Sequence, residues 1–381
     1  MHSPKAHLKY RLSPLQIALP GVASLALCLF SAPAPSQGKA DPTMQKAQQA
    51  VTKGIEYLRR TQEKDGSWSE YPATTALAVT GLLRNGKTEV NDPSVAKAIQ
   101  FILRAAKPNG AIFADSNPAT ALPNYNTSLC VMALALTKNP AYKPVIQKAQ
   151  KYLENSQFDE GENIKPNDPT YGGIGYGSDP DDHPDLGNLQ TALEALKETG
   201  TPSSSPVWKK AITFIQRVQN RKESNDQAWA KQSPDDGGFA YDSTGESKIP
   251  GGTGHTSMGA MTYAGVKSYI YAGVSKNDPR VTAAWNWIRS HYTVAEHPGM
   301  GNTSLYYYYH TMAKTLDVYG QKKLQDTKGQ SHDWAHDLAA QLVAEQHPDG
   351  SWFNSNSRYW ENQPGLVTSY SLITLSYCLK K

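Results

Sequence analysis

Gln62-Glu63-Lys64-Asp65-Gly66-Ser67-Trp68 returns near the other end of the chain as Gln346-His347-Pro348-Asp349-Gly350-Ser351-Trp352. Agreement at Gln, Asp, Gly, Ser and Trp is more than two unrelated loops share, so the region between them is read for further copies. Four weaker ones follow: Asn109-Gly110-Ala111-Ile112, Tyr171-Gly172-Gly173-Ile174, Asp236-Gly237-Gly238-Phe239 and Pro298-Gly299-Met300-Gly301. Each keeps a glycine in its second column.

The flanks repeat as well. Upstream of each glycine lies a segment with helical periodicity: residues 44–60, 94–105, 145–155, 207–219, 280–291 and 333–345. In Val145-Ile146-Ala149-Tyr152-Leu153 the apolar residues recur at helical spacing with Lys and Gln between them, which predicts an amphipathic helix. Downstream comes a more apolar helix with a polar start, as in Thr74-Thr75-Ala76, Asn126-Thr127-Ser128 and Val367-Thr368-Ser369. Such side chains suit the unpaired N–H groups of a helix's first turn. Leu129-Cys130-Val131-Met132-Ala133-Leu134-Ala135-Leu136 is apolar all round and predicts burial on every side. Six helical hairpins of this kind must stack to cover their apolar faces. Open solenoids end in atypical capping repeats, whereas here the first and last copies are the best kept. The expectation is therefore an all-α chain closed into an α/α toroid, a double ring of six helical hairpins. All inner helices start at one end of it, under the longer loops.

Residues 1–40 read as a secretory signal peptide rather than as part of the ring. Lys5, Lys9 and Arg11 precede an apolar run from Leu15 to Phe30 and a zone of small residues and prolines. Cleavage after Ala34 or Ala40 fits, and the second is preferred because Pro35 would follow the first. The run is short for a membrane span and contains Pro20. A secreted or periplasmic location and a toroid over residues 41–381 follow as expectations. Four of the 38 basic residues and none of the 34 acidic ones lie in residues 1–40, so the rest balances at 34 of each sign. That neutrality argues against nucleic acid or an anionic membrane surface as a partner. Cys130 and Cys378 each sit in an apolar helical run, where two buried thiols are favoured over a disulfide. A monomer is expected.

The Gln-x-x-Asp-Gly-Ser-Trp repeat resembles that of the squalene cyclase and protein prenyltransferase superfamily, over roughly residues 45–381. The resemblance implies a closed double ring with a ligand cavity at the inner-helix starts. It also implies that Gln62, Trp68, Gln346 and Trp352 are structural, each Gln bonding to the next repeat. Class II terpene cyclases use an Asp-x-Asp-Asp acid at the start of an inner helix. Here Asp179-Pro180-Asp181-Asp182 lies six residues early, and alignment on the helix places that motif over Asp185-Leu186-Gly187-Asn188, with Gly187 where the proton donor stands. Protein prenyltransferases hold zinc with Asp, Cys and a His that opens a Tyr-His-Thr stretch. Tyr309-His310-Thr311 resembles the last element, but one repeat earlier the chain reads Gly254-His255-Thr256-Ser257. No metal is therefore expected, and the sequence names no cofactor.

Ring closure would let residues from separate repeats converge. His183, His255 and His310 come from repeats three, four and five, and imidazole suits proton transfer near neutral pH. Asp185, His255 and His310 are the candidate catalytic residues. His183, Asp242, Tyr306 and Tyr309 are the candidate ligand contacts, the two tyrosines from the run Tyr306–Tyr309 serving as cavity wall. The acid-rich stretch Asp159–Asp185 suits a hard cation or, more plainly, a solvated loop with a helix cap. His332 and His336 have metal-compatible spacing on an outer helix but read as a solvated face. The function expected is an isoprenoid-like, apolar small-molecule site with acid–base chemistry of the cyclase or isomerase kind. The alternatives are a secreted carbohydrate-active toroid resembling polysaccharide lyases, and a non-catalytic interaction module.

Overall fold

A computed structural model describes residues 41–380 except 116–120, 178–181, 246–247, 250–251 and 253. The expected signal peptide and Asp179 to Asp181 lie outside the described residues. Asp41–Lys381 forms one compact unit. Twelve α-helices occur among the described residues, in six outer–inner pairs. They are α1 (Pro42–Thr61) and α2 (Pro72–Arg84), α3 (Pro93–Arg104) and α4 (Pro123–Leu136), α5 (Lys143–Asn155) and α6 (Leu186–Glu198). The second half comprises α7 (Pro206–Arg217) and α8 (Gly259–Tyr271), α9 (Pro279–Ser290) and α10 (Leu305–Tyr319), α11 (Trp334–Glu345) and α12 (Pro364–Cys378). Two-residue strands Leu324–Gln325 and Ser331–His332 pair between α10 and α11.

Local sequence explains where these helices begin. Asp41-Pro42, Asp92-Pro93 and Asp278-Pro279 each put a capping carboxylate before a proline at the first helical position. Proline has no N–H to lose there and its φ is already helical. The outer helices therefore open a residue or two before the apolar pattern does. Proline alone, with no side-chain cap before it, starts α2, α4 and α12 at Pro72, Pro123 and Pro364. Thr75, Asn126 to Ser128 and Thr368 consequently stand inside the first turns rather than at the caps. Instead, Thr75, Thr127, Thr262 and Thr368 accept the backbone N–H of Trp68, Ile112, Phe239 and Trp352, tying each glycine turn to its inner helix.

Burial follows the predicted faces. In α3 the buried residues are Val95, Ala98, Ile99 and Ile102, a single stripe. In α4 every residue from Asn126 to Leu134 is buried. The inner helices pack in the order α2, α4, α6, α8, α10, α12 and back to α2, and α1 packs on α11 and α12, so both circles close.

Glutamine supplies the joint between hairpins. Gln62, Gln157, Gln219 and Gln346 each donate from Nε2 to two carbonyls, one in their own glycine turn and one in the next outer helix. The second acceptors are Ser94, Val207 and Arg280, and for Gln346 the Ala50 carbonyl of the first hairpin. Trp68 and Trp352 donate from Nε1 to Leu58 and Leu342 in their own outer helices. Gly66 and Gly350 have φ of +97° and +92°, and a Cβ on either would stand 2.5 Å from the carbonyl oxygen of Lys97 or Lys53. Only glycine lets the turn approach the neighbouring helix so closely. The Pro298–Gly301 copy departs from this pattern: a Cβ on Gly299 would come no nearer backbone than 3.5 Å, from Ser257 O.

Toward the far end of the ring, the centre is filled by charge. Glu194 of α6 pairs with Lys267 of α8 at 2.5 Å and with Lys314 of α10 at 2.6 Å, all three buried. Arg84 of α2 pairs with Glu198 at 2.7 Å. Cys130 and Cys378 are buried free thiols.

Candidate functional site

The starts of all six inner helices border one cavity of about 410 Å³. Ala73 and Leu77 come from α2, Tyr125 from α4, Asn188 from α6, Met261 from α8, Tyr307 from α10 and Leu366 and Tyr370 from α12. Loops add Tyr176, Tyr241, Met300, Tyr359 and Trp360. Seven tyrosines line the space, but Glu361 is the single carboxyl group among the described lining residues. The phenols are engaged with one another: Tyr125 with Tyr370 at 3.1 Å and Tyr176 with Tyr241 at 3.3 Å. Burial raises the pKa of each of these four, so they act as neutral hydroxyls.

Helix starts leave N–H groups that need acceptors, and here several are met from a later segment. Asn126 Oδ1 accepts the Ala73 N–H of α2 at 2.7 Å, and His297 Nε2 accepts the Ala260 N–H of α8 at 2.9 Å. Glu361 Oε1 accepts the Tyr307 N–H of α10 at 2.8 Å. His297 thus has a defined state. With Nε2 accepting, its Nδ1–H donates to the Thr303 carbonyl at 3.0 Å, and burial pushes its pKa down to about 4.

Asp185 is 2 % exposed and caps α6, accepting the Asn188 N–H at 2.8 Å and Asn188 Nδ2 at 2.6 Å. Burial pushes its pKa up to about 7, against hydrogen bonds from Asn188 and the Tyr241 hydroxyl that favour the charged form. It stands behind the wall formed by Asn188 and Tyr241 rather than in the lining itself. Asp242 lies beside it through a backbone bridge, with Leu186 N–H donating to Tyr241 O at 2.9 Å. The Asp242 carboxylate turns to its own loop, accepting from Thr244 and Gly245. His255 is next to this pair. Its ring stacks on Trp229 and its Nε2 lies 3.2 Å from the Ser243 carbonyl. The chain therefore brings Asp185, Asp242 and His255 into one neighbourhood.

The other expected residues lie elsewhere. His183 is exposed. His310 is fully buried beneath the cavity floor, beside Gln190, Glu194 and Lys314, and burial holds its pKa well below the usual imidazole value. Convergence of the three histidines on the cavity is not what the structure shows. Tyr306 and Tyr309 are not cavity wall either. They pair edge-to-face at 5.7 Å and Tyr309 donates to the Val294 carbonyl, while Tyr307 takes the inward position. Successive helical residues turn by about 100°, so only one of this run faces the centre fully.

The acid-rich stretch is bonded locally. Asp159 and Glu160 pair with Lys210, Asp168 accepts from Thr170, and Asp182 accepts from the N–H groups of Tyr176 and Gly177. Among the described residues no group of three His, Cys, Asp or Glu side chains is arranged to hold a metal. His332 sits on the short second strand near Asp326 and Asp337, and His336 faces Asp41. They do not share one helical face.

Sequence reasoning missed Glu361, His297, Tyr176 and Tyr241. Tyr176 and Tyr241 had a legible signal: each stands two residues after the bulky apolar member of its turn, Ile174 or Phe239. For Glu361 the only cue was the aromatic pair Tyr359-Trp360 just before a proline-started helix.

No protein-family model matches the chain. Among solved structures it is similar to a variant of the type II terpene cyclase MstE from Scytonema, in complex with its substrate geranylgeranyl dihydroxybenzoate. The identity is 11 %, over 89 % of this chain and 99 % of that one, with a TM-score of 0.53. A second MstE variant, in complex with the product merosterolic acid A, gives 13 % identity over 89 % and 97 %, with a TM-score of 0.52. The chain has the α/α toroid fold of the terpene cyclases. A wild-type glycosidase is also similar, at 12 % identity over 88 % of this chain and 97 % of that one, with a TM-score of 0.52. Among the described residues of the toroid no helix is long and apolar enough to cross a membrane.

Proposed function

We propose that the toroid is an exported protein whose central cavity takes an apolar, isoprenoid-like small molecule. The observation that carries this reading is the cavity shared by the six inner-helix starts, walled by aromatic rings, leucines and methionines. A volume of about 410 Å³ falls in the range of small-molecule sites. The similarity to a cyclase in complex with a geranylgeranyl compound supports it. Asp185 is assigned the acid–base role: it holds a proton near neutral pH and reaches the cavity through the Tyr241 and Tyr176 hydroxyls. His255 is assigned to the rim of that site, and His310, beneath the floor, is left out of it.

The test is native mass spectrometry of protein purified from its own host, with calorimetric titration of farnesol. A co-purifying prenyl compound and saturable farnesol binding are expected. An empty protein that does not bind farnesol removes the reading. A second reading rests on the tyrosine wall, the exposed Tyr359 and Trp360 at the mouth and the similarity to a glycosidase, which together suit a sugar ring. Binding of a four-residue glucan in place of farnesol would select it.

A further inference from the structure

We propose that Glu361 is the proton-carrying group that meets the ligand in this cavity, and that it accepts an apolar ligand only in its neutral form. This rests on the isoprenoid reading above and adds proton linkage to it.

Three observations place the group. Glu361 contributes the cavity's single carboxyl among the described lining residues, and it is 1 % exposed. Its carboxyl is held at both oxygens: Oε1 accepts the Tyr307 N–H at 2.8 Å and Oε2 accepts Asn354 Nδ2 at 2.8 Å. Asn354 is itself fixed, its Oδ1 accepting the Asn356 N–H at 3.0 Å, so the carboxyl is held in place at the cavity wall. Third, the strap that delivers it is wound tightly across the mouth. Tyr359 and Trp360 both have left-handed backbone, with φ of +60° and +62°, and Trp360 meets Tyr71 edge-on at 5.6 Å. Non-glycine residues in that region cost about 1–3 kcal/mol each and persist where the surroundings impose them. Asn354 N–H donating to Glu361 O at 2.7 Å and Asn356 donating to Thr303 Oγ1 supply that restraint.

Burial pushes the Glu361 pKa up to about 7, although the N–H groups of α10 favour the charged form. Packing an apolar ligand against the carboxylate removes its remaining contact with water and raises that value further. The titratable groups facing it are Tyr306 and Tyr309 of α10 and Tyr370 of α12, with His297 and Lys248 in the same cavity, while Arg358 of its own strap is exposed over the Tyr359 ring. The tyrosines are raised and His297 is lowered, which leaves Glu361 and, behind the Asn188 and Tyr241 wall, Asp185 to titrate near neutrality.

The experiment is calorimetric titration of the intact protein with farnesol between pH 5.5 and 9, in buffers of different ionisation enthalpy. Above the midpoint the expected Kd rises about tenfold per pH unit, with uptake approaching one proton per ligand. Glu361→Gln is expected to bind with the low-pH affinity throughout and to take up no proton, whereas Asp185→Asn keeps the slope. Proton uptake in the unmodified protein needs no variant, so a misfolded Glu361→Gln does not rescue the idea. A flat Kd with no proton uptake overturns the proposal while leaving the ligand reading intact. A slope that survives Glu361→Gln and vanishes in Asp185→Asn transfers the role to Asp185 and also overturns it. Absence of farnesol binding at every pH removes both readings.

Discussion

Replacing Gly350 by alanine strikes the ring where its last hairpin meets its first. Two costs follow from the geometry. The first is conformational: φ of +92° is a region an alanine occupies at a cost of about 1–2 kcal/mol. The second is steric, because the new Cβ would stand 2.5 Å from the Lys53 carbonyl oxygen, a backbone atom in the middle of α1 that no side-chain rotation can clear. Overpacking of this kind costs about 1–3 kcal/mol. Gly200 isolates the first cost, since it has φ of +87° with nothing within 4 Å of its Cβ position. The reduction in unfolded-chain entropy is common to both substitutions and cancels. Gly350→Ala is therefore expected to lose about 2 kcal/mol more than Gly200→Ala, read from urea denaturation midpoints at constant slope. Equal losses in the two variants would mean that the last hairpin does not press on α1, and ring closure would fail with it.

Further perturbations test other joints. Gln346→Leu strips the Ala50 and Gly350 carbonyls of their shared donor and is expected to cost about 1–3 kcal/mol in the same assay. Glu194→Leu leaves Lys267 and Lys314 as buried, unpaired cations, a loss of about 3–5 kcal/mol, and circular dichroism melts should show it as the most damaging of these substitutions. Asp185 has an ordinary pKa of 3.8 that the fold raises to about 7, so its contribution is full below about pH 4 and disappears as pH rises through 7. His297, with its pKa lowered to about 4, works in the opposite sense, losing its contribution as pH falls from 6.5 through 4. Asp185→Asn keeps a competent cap, so the melting-temperature difference between parent and variant should shift in the variant's favour between pH 4 and 7. A difference independent of pH would contradict the Asp185 assignment.

The architecture was legible because it is written periodically. A stripe such as Val95, Ala98, Ile99 and Ile102 repeats a physical requirement, burial of one face, and six copies of it leave little freedom. Even so, two of the four glutamine joints escaped notice. Gln157 and Gln219 stand far from Gly172 and Gly237 in sequence because loops are inserted between them, yet both make the same bonds as Gln62. The site was less legible, for a different reason. Topology says which helix start a residue is near, but not which way its side chain turns. His310 is on the right inner helix and lies below the floor, whereas Tyr307, not Tyr306 or Tyr309, faces the centre. Glu361 belongs to no repeat column. Its role depends on a strap whose path is set by long-range bonds to Asn302 and Thr303.

The glutamine joint has a consequence for how such a protein can change. Each hairpin hands the next a fixed rotation, and six of those rotations complete the circle where the last hairpin packs on the first and Gln346 finds Ala50 as its acceptor. A linear stack can lengthen or shorten by one unit and lose only its ends. This molecule cannot: removing or duplicating a hairpin would leave the last joint facing empty space and spill the shared cavity open. Variation is thereby confined to the inserted loops and the inner-helix starts, so a new ligand can be acquired by changing the walls but not the number of staves.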